Sequence, residues 1–312
     1  MRPESRDEDA WIAAAGRRFT ASPRVLVGPG HDAAVVAFDG REVVLKTDTV
    51  VDGVDFRLAE CGPRAAGRKA LVVTVSDLAA MAAVPRACVV SVVLPRGVSF
   101  DTFDGLAEGL ALAAAETGCE VVGGDTSVAD GPLVLTVSAI GEPGPHGIVR
   151  RSGARAGDEL SVTGPLGGSL LGRHLTFTPR LAEAAALAAA RVPHAMMDIS
   201  DGLSTDLARL CAMSGVGADI EAARVPIHPD AVRAGGPRTP LEHALHDGED
   251  FELLLAHAPL DDATRTALAA RGVTLWRIGT ATGARGEVRI VVDGRAAPLA
   301  PGGYDHFARR AP

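Results

Sequence analysis

The spacing of apolar positions switches repeatedly between the helical and the strand period, and each switch marks an element. Residues 7–19, with Trp11, Ile12 and Phe19 set between charges, predict a short amphipathic helix. After the turn residues Gly28-Pro29-Gly30, β-branched runs at 33–38 and 43–51 predict two strands. A helix around 64–70 is predicted to lead into a Val- and Thr-rich strand at 71–75; Ser76 then caps a short helix over 77–83, which Pro85 stops. Residues 87–94 read as a strand. Residues 99–116 read as a helix with Phe103, Leu106, Leu110 and Ala114 on one face and Gly118 closing it. A strand over 133–140 precedes a Gly- and Pro-rich linker at 141–147.

Beyond the linker the pattern predicts strands at 159–163, 195–199, 251–256 and 288–292, and helices at 181–190 and 202–213. In the last helix Leu203, Leu207 and Leu210 share a face and Gly215 ends it. Both halves mix strands and helices, so the expected class is α+β in two domains, 1–145 and 146–312. A chain of 312 residues is long enough for two such cores.

Composition narrows the chemistry. With 47% hydrophobic but only 4% aromatic residues, the cores must be built from Ala, Val and Leu. A formal charge of −8 without a basic run argues against nucleic acid as a partner. Cys61, Cys88, Cys119 and Cys211 are scattered with no Cys-x-x-Cys pair, which fits a reducing cytoplasm and suggests neither a zinc site nor a disulfide framework. The most apolar stretch, 70–95, is interrupted by Asp77, Pro85 and Arg86, and the first residues are charged, so neither a membrane span nor a secretion signal is expected.

Acids recur where elements end. Val121-Val122-Gly123-Gly124-Asp125-Thr126 reads as a buried strand leaving through two glycines, at a point where backbone can approach a ligand, with an acid following at once. Gly30-His31-Asp32, Thr47-Asp48-Thr49, Ser76-Asp77-Leu78 and Asp198-Ile199-Ser200-Asp201-Gly202 are comparable. Asp77 and Asp201 also suit helix starts, whereas Asp48 lies in a strand-rich run where Asp is disfavoured. Carboxylates on several distant turns suit hard divalent ions bound to nucleotide phosphates, and Arg151 is the best-placed arginine for those phosphates. The turn Gly164-Pro165-Leu166-Gly167-Gly168 could hold an anion but lacks the Gly-Lys-Ser/Thr of a P-loop.

These motifs, in this order, resemble the thiamine-monophosphate kinase family of the aminoimidazole-ribonucleotide-synthetase-like superfamily. The resemblance rests on Gly30-His31-Asp32-Ala33-Ala34, Thr47-Asp48-Thr49, Lys69-Ala70-Leu71, Ser76-Asp77-Leu78, Gly123-Gly124-Asp125-Thr126, Arg151-Ser152-Gly153-Ala154, Asp198-Ile199-Ser200-Asp201-Gly202, Gly248-Glu249-Asp250-Phe251 and Gly303-Tyr304-Asp305-His306-Phe307. It implies direct in-line transfer of the ATP γ-phosphoryl group onto thiamine monophosphate, with several Mg2+ ions, in a cytoplasmic homodimer. The fold it implies has an N-terminal domain that forms a dimeric β-barrel and a C-terminal α/β sandwich domain that closes the cleft. Carried onto this chain, Asp32, Thr47, Asp48, Asp77, Asp125, Asp198 and Asp201 would hold metal. Gly124, Asp125, Arg151 and Ser200 would bind ATP, and Asp125, Arg151 and Asp201 would serve the transfer. Asp55, Glu249 and Tyr304 would lie on the thiamine side, where the Tyr304 ring could stack.

Three positions depart from that pattern: His31 replaces an acid, Lys46 a hydroxyl residue, and Asp55 a substrate-side histidine. The first two remove oxygen ligands or add positive charge, so Lys46 is expected to supply part of one metal ion's charge and fewer Mg2+ ions are expected to bind. Asp55 would face the cationic thiazolium or mark a different substrate. Two other readings stay open from sequence: a superfamily cousin that activates another substrate with ATP, and a non-catalytic sensor of thiamine phosphate or nucleotide.

Overall fold

The computed structural model describes residues 23–28 and 30–307. Two sheets organise it. The first has six strands, β1 (Val25–Val27), β2 (Ala34–Phe38), β3 (Arg41–Val51), β4 (Ala83–Pro95), β5 (Glu120–Ala129) and β6 (Val134–Pro143), in the order β1-β2-β3-β6-β4-β5. Its pairs are antiparallel except β4 with β5. Helices α1 (Leu58–Ala80) and α2 (Phe100–Thr117) pack against each other over its inner face. Their backbones approach so closely that a Cβ on Gly67 would stand 2.1 Å from the Leu106 carbonyl oxygen, and one on Gly109 2.0 Å from that of Arg64.

The second sheet has seven strands: β7 (Glu159–Val162), β8 (Pro193–Asp198), β9 (Gly217–Glu221), β10 (Leu253–His257), β11 (Trp276–Thr282), β12 (Val288–Val292) and β13 (Arg295–Pro298). They run in the order β13-β12-β9-β11-β7-β10-β8. The accompanying helices are α3 (Arg173–Thr176), α4 (Leu181–Ala189), α5 (Leu203–Ser214), α6 (Pro229–Ala234), α7 (Pro240–His246) and α8 (Asp262–Ala269). Strand β10 is buried along its whole length because it is covered on both faces. Leu254 and Ala256 join the core that includes Leu203, Leu207 and Leu210 of α5. Leu253 and Leu255 face Ala80, Ala82, Leu187 and Met196, a seam that fixes the end of α1 against the second sheet. Phe177 and Phe251 stack beside it, with ring centroids 4.1 Å apart.

Several expectations need correction. Residues 71–75 are not a strand and 77–83 not a separate helix, since both belong to α1. This helix breaks at Gly62 (φ 75°, ψ 164°) and restarts at Pro63. Its stretch Leu71-Val72-Val73-Thr74-Val75 is buried on every side between the first sheet and the second unit, so it shows no helical stripe, and packing overrides its β-branched propensity. Gly123 and Gly124 lie in the middle of β5, not at a strand end, and all of β5 is exposed. A Cβ on Gly124 would come within 2.0 Å of the Val90 carbonyl oxygen, next to a register shift between β4 and β5, so a neighbouring strand already accounts for that glycine. The first sheet is open; the described residues form no closed barrel. Strands β1, β9, β11 and β13 and helices α6, α7 and α8 were not predicted. The helix expected at 7–19 lies outside the described residues.

Candidate active site

A cavity of about 820 Å3 opens between the two units, lined by Asp32, Lys46, Asp48, Asp77, Asp198 and Asp201 among others. Each acid arrives on a different element: Asp32 just before β2, Asp48 on β3, Asp77 near the end of α1, Asp198 at the end of β8, and Asp201 in the turn before α5. Oxygens of Asp32, Asp77 and Asp198 all lie within 4.8 Å of one another. Like charges this close in a poorly solvated site raise one another's pKa. Burial and the nearby Asp32 push Asp198 up to about 6. Burial, opposed by Lys46, also holds Asp77 well above the ordinary carboxylate range.

Three cations answer this charge. Arg151 Nη2 lies 2.9 Å from Asp32 Oδ1, an ion pair that joins the segment after the interdomain turn to the first sheet. Lys46 Nζ stands between Asp77 (2.9 Å) and Asp48 (3.2 Å), and Arg209 pairs with Asp201. His31 adds no further charge: burial lowers its pKa, and its Nδ1 accepts from the Arg151 backbone N–H at 3.2 Å, as a neutral ring would.

The loop 198–201 is held from behind. Asp206 on α5 is fully buried and accepts from the backbone N–H groups of Ser200 (3.1 Å) and Asp201 (3.0 Å). Burial and Asp201 push Asp206 up to about 8. Across the units, Ser76 donates to Asp198 over 2.6 Å. The Asp201 carbonyl accepts from the Tyr304 backbone N–H at 2.9 Å, which brings the C-terminal segment to the cavity. The Tyr304 ring lies there edge-on to His306.

Glu249 reaches the opposite wall with φ of 64° and pairs with Lys69 at 2.5 Å. Lys69 is buried in α1 and also donates to the Asp55 carbonyl. The Asp55 carboxylate accepts from the Val51 N–H at 2.7 Å, so one of its oxygens closes a turn.

Of the residues singled out from sequence, Asp32, Thr47, Asp48, Asp55, Asp77, Arg151, Asp198, Ser200, Asp201, Glu249 and Tyr304 line this cavity. Thr47 does so with its hydroxyl already bonded to Ser138 (2.9 Å), on the face of β3 opposite Asp48. Gly124 and Asp125 do not line it; they sit on exposed β5, opposite Val90 and Ser91 of β4. The turn 164–168 is not open for an anion, because the Gly167 and Gly168 N–H groups donate to Asp250 and Asp247. Asp206 and Arg209 were missed, and Lys69, though part of a quoted motif, was given no role. The Asp206–Arg209 spacing on the apolar-faced α5 was the available signal, but it reads equally as an ordinary surface pair.

The chemistry and spacing of the acids fit a divalent cation. The donors are hard carboxylate oxygens, and Asp48 Oδ2 is buried with no hydrogen-bond partner among the described residues.

Residues 30–142 match the family model for the AIR synthase related protein, N-terminal domain, and residues 132–292 match the one for its C-terminal domain. The thiamine-monophosphate kinase of Rhodopirellula baltica is 39% identical, over 96% of this chain and 97% of its own. The thiamine-monophosphate kinase of Mycobacterium tuberculosis is 38% identical, over 77% of this chain and 76% of its own. Among solved structures, AaThiL complexed with AMPPCP and TMP superposes with a TM-score of 0.82 at 29% identity, covering 98% of this chain and 99% of that one. With the cavity acids placed as described, these likenesses show that the chain belongs to the AIR synthase related proteins and, among them, to the thiamine-monophosphate kinase family.

Proposed function

We propose that this protein transfers the terminal phosphoryl group of ATP to the phosphate of thiamine monophosphate, giving thiamine diphosphate and ADP. The observation that carries this reading is the acid-lined cavity between the units, in a chain of the thiamine-monophosphate kinase family. Transfer is direct and in line, and the protein's task is to position two anionic reactants and offset their charge.

In this reading Asp32, Asp48, Asp77, Asp198 and Asp201 hold Mg2+, with Thr47 beside them. When bound, the metal would neutralise phosphate oxygens and orient them. Arg151 and Ser200 contact ATP. Asp55, Glu249 and Tyr304 take the thiamine side, where the tyrosine ring supplies a flat apolar surface for a heterocycle. The division into functional domains is placed between 145 and 146.

Gly124 and Asp125 enter through a second copy. β5 is exposed along its length, and with Val89 and Ile140 it presents apolar Val121, Val122 and Val128 on an uncovered part of the sheet. We assign this face to a homodimer in which the two open sheets meet, and Asp125 to the cavity of the facing copy. Free Cys61, Cys88, Cys119 and Cys211 suit a reducing cytoplasm, and no helix among the described residues is long and apolar enough to cross a membrane.

The test is ADP release from ATP and Mg2+ with and without thiamine monophosphate. Release that depends on thiamine monophosphate, with thiamine diphosphate formed in equal amount, is expected. Equal release in both arms, or none, rejects the assignment.

A further inference from the structure

Lys46 is an unusual occupant of a carboxylate nest. It reaches the site because β3 alternates: Val44, Lys46, Asp48 and Val50 point to the inner face, while Leu45, Thr47 and Thr49 point to the open one. The Lys46 stem therefore runs inward beside buried Val44 and Val50, and its Nζ ends 2.9 Å from Asp77 Oδ2 and 3.2 Å from Asp48 Oδ1.

Further acids stand beside this pair, and Arg151 is engaged with Asp32. Asp32 and Asp198 stand behind Asp77, and Ser76 is spent on Asp198. A cation bridging two carboxylates from different elements does there what a metal ion does elsewhere, but with a single charge and a covalent tether. It also takes one oxygen from each acid. What remains is the Asp32, Asp77 and Asp198 cluster and the second, unpartnered oxygen of Asp48.

Resting on the kinase reading, we propose that Lys46 is a resident cation of the active site, occupying the position between Asp48 and Asp77 and excluding one divalent ion from it. The ammonium carries one positive charge against two for Mg2+ and three donors against six ligand positions. It also cannot dissociate. The chain thus needs one fewer divalent ion per site, and the remaining ions gather at the Asp32 and Asp198 side.

The test counts metal rather than turnover. Full-length protein with a non-hydrolysable ATP analogue is titrated with Mn2+, and free Mn2+ is read by electron paramagnetic resonance. Lys46→Ser is expected to bind one more Mn2+ per chain than the unaltered protein, and Lys46→Arg, which keeps the charge, the same number. Lys46→Met keeps the apolar stem and carries the same expectation as Lys46→Ser should the serine variant not fold. Equal counts for the unaltered protein and the folded neutral variant overturn the proposal, as does a higher count for Lys46→Arg. Thiamine-monophosphate-dependent ADP release, run alongside, tests the kinase reading separately, because the count does not depend on the acceptor.

Discussion

The buried Lys69 ammonium lies 2.5 Å from the Glu249 carboxylate, so one side chain of the first unit's central helix fixes the strained loop of the second. The same Nζ donates to the Asp55 carbonyl, tying together two segments assigned to the thiamine side. Removing one partner of a buried pair strands the other. Lys69→Met is expected to lower stability by about 3–5 kcal/mol. It should also raise KM for thiamine monophosphate more than KM for ATP. Urea unfolding and steady-state kinetics read the two effects, and an unchanged unfolding midpoint would contradict the first.

The placement of Asp125 outside its own cavity can be tested by mixing. If the proposed homodimer forms, Asp125→Asn and Asp77→Asn should each be nearly inactive on their own. Random reassortment makes half the dimers mixed, each with one intact site, so about a quarter of full activity should return. If both acids serve one chain's cavity, reassortment restores nothing.

Three buried carboxyls make the metal-free protein sensitive to pH. Burial pushes Asp198 up to about 6, Asp250 to about 7 and Asp206 to about 8. These three groups therefore bind more protons in the folded chain than in the unfolded chain between about pH 4 and 8, so the stability they contribute is highest at the low end and falls as pH rises through that window, while the buried histidines, whose pKa values are lowered, act in the opposite direction below about pH 6.5. Above the range in which the histidines titrate, Asp206 and Asp250 dominate, so the thermal midpoint without metal is expected to be lower at about pH 8.5 than at about pH 7. Mg2+ with an ATP analogue should narrow or reverse the difference, because bound metal favours deprotonated acids. A midpoint that rises with pH over that range in the metal-free protein would refute this.

Asp55 has one oxygen committed to the Val51 N–H. Asp55→Asn preserves an acceptor for that turn while removing the charge. If the other oxygen faces the thiazolium, KM for thiamine monophosphate should rise roughly fivefold, the equivalent of about 1 kcal/mol, with little change in thermal midpoint. An unchanged KM would leave Asp55 a turn residue only.

Asp250 directly follows the cavity-lining Glu249 yet is expected to serve folding. It accepts from the Gly167 N–H and pairs with Arg173 at 2.7 Å, which holds the glycine turn in place. Asp250→Ala should destabilise the chain by about 1–3 kcal/mol, the cost of leaving buried donors unmet. KM values measured on the folded fraction should stay within about twofold. A selective loss of ATP binding would instead return the glycine turn to the site.

Sequence alone determined the two-part α+β plan, most strand and helix positions, and the identity of nearly every acid that meets in the cavity. These are local or compositional properties: periodicity sets elements, and an acid at an element's end is visible without knowing its neighbours. Tertiary structure decided the rest. Whether Leu71-Val72-Val73-Thr74-Val75 is helix or strand depends on what surrounds it, and a segment buried on all sides carries no periodic signal. Lys69 and Asp206 look ordinary along the chain and become important only because Glu249, 180 positions away, and the Ser200 and Asp201 N–H groups are brought to them. Asp125 shows the converse: its motif stood out most in the sequence, yet strand order leaves β6 and β4 between it and Asp48. The physical reason is common to all three: side-chain chemistry is written residue by residue, but distance between residues far apart in sequence is set only when the sheets form and pack.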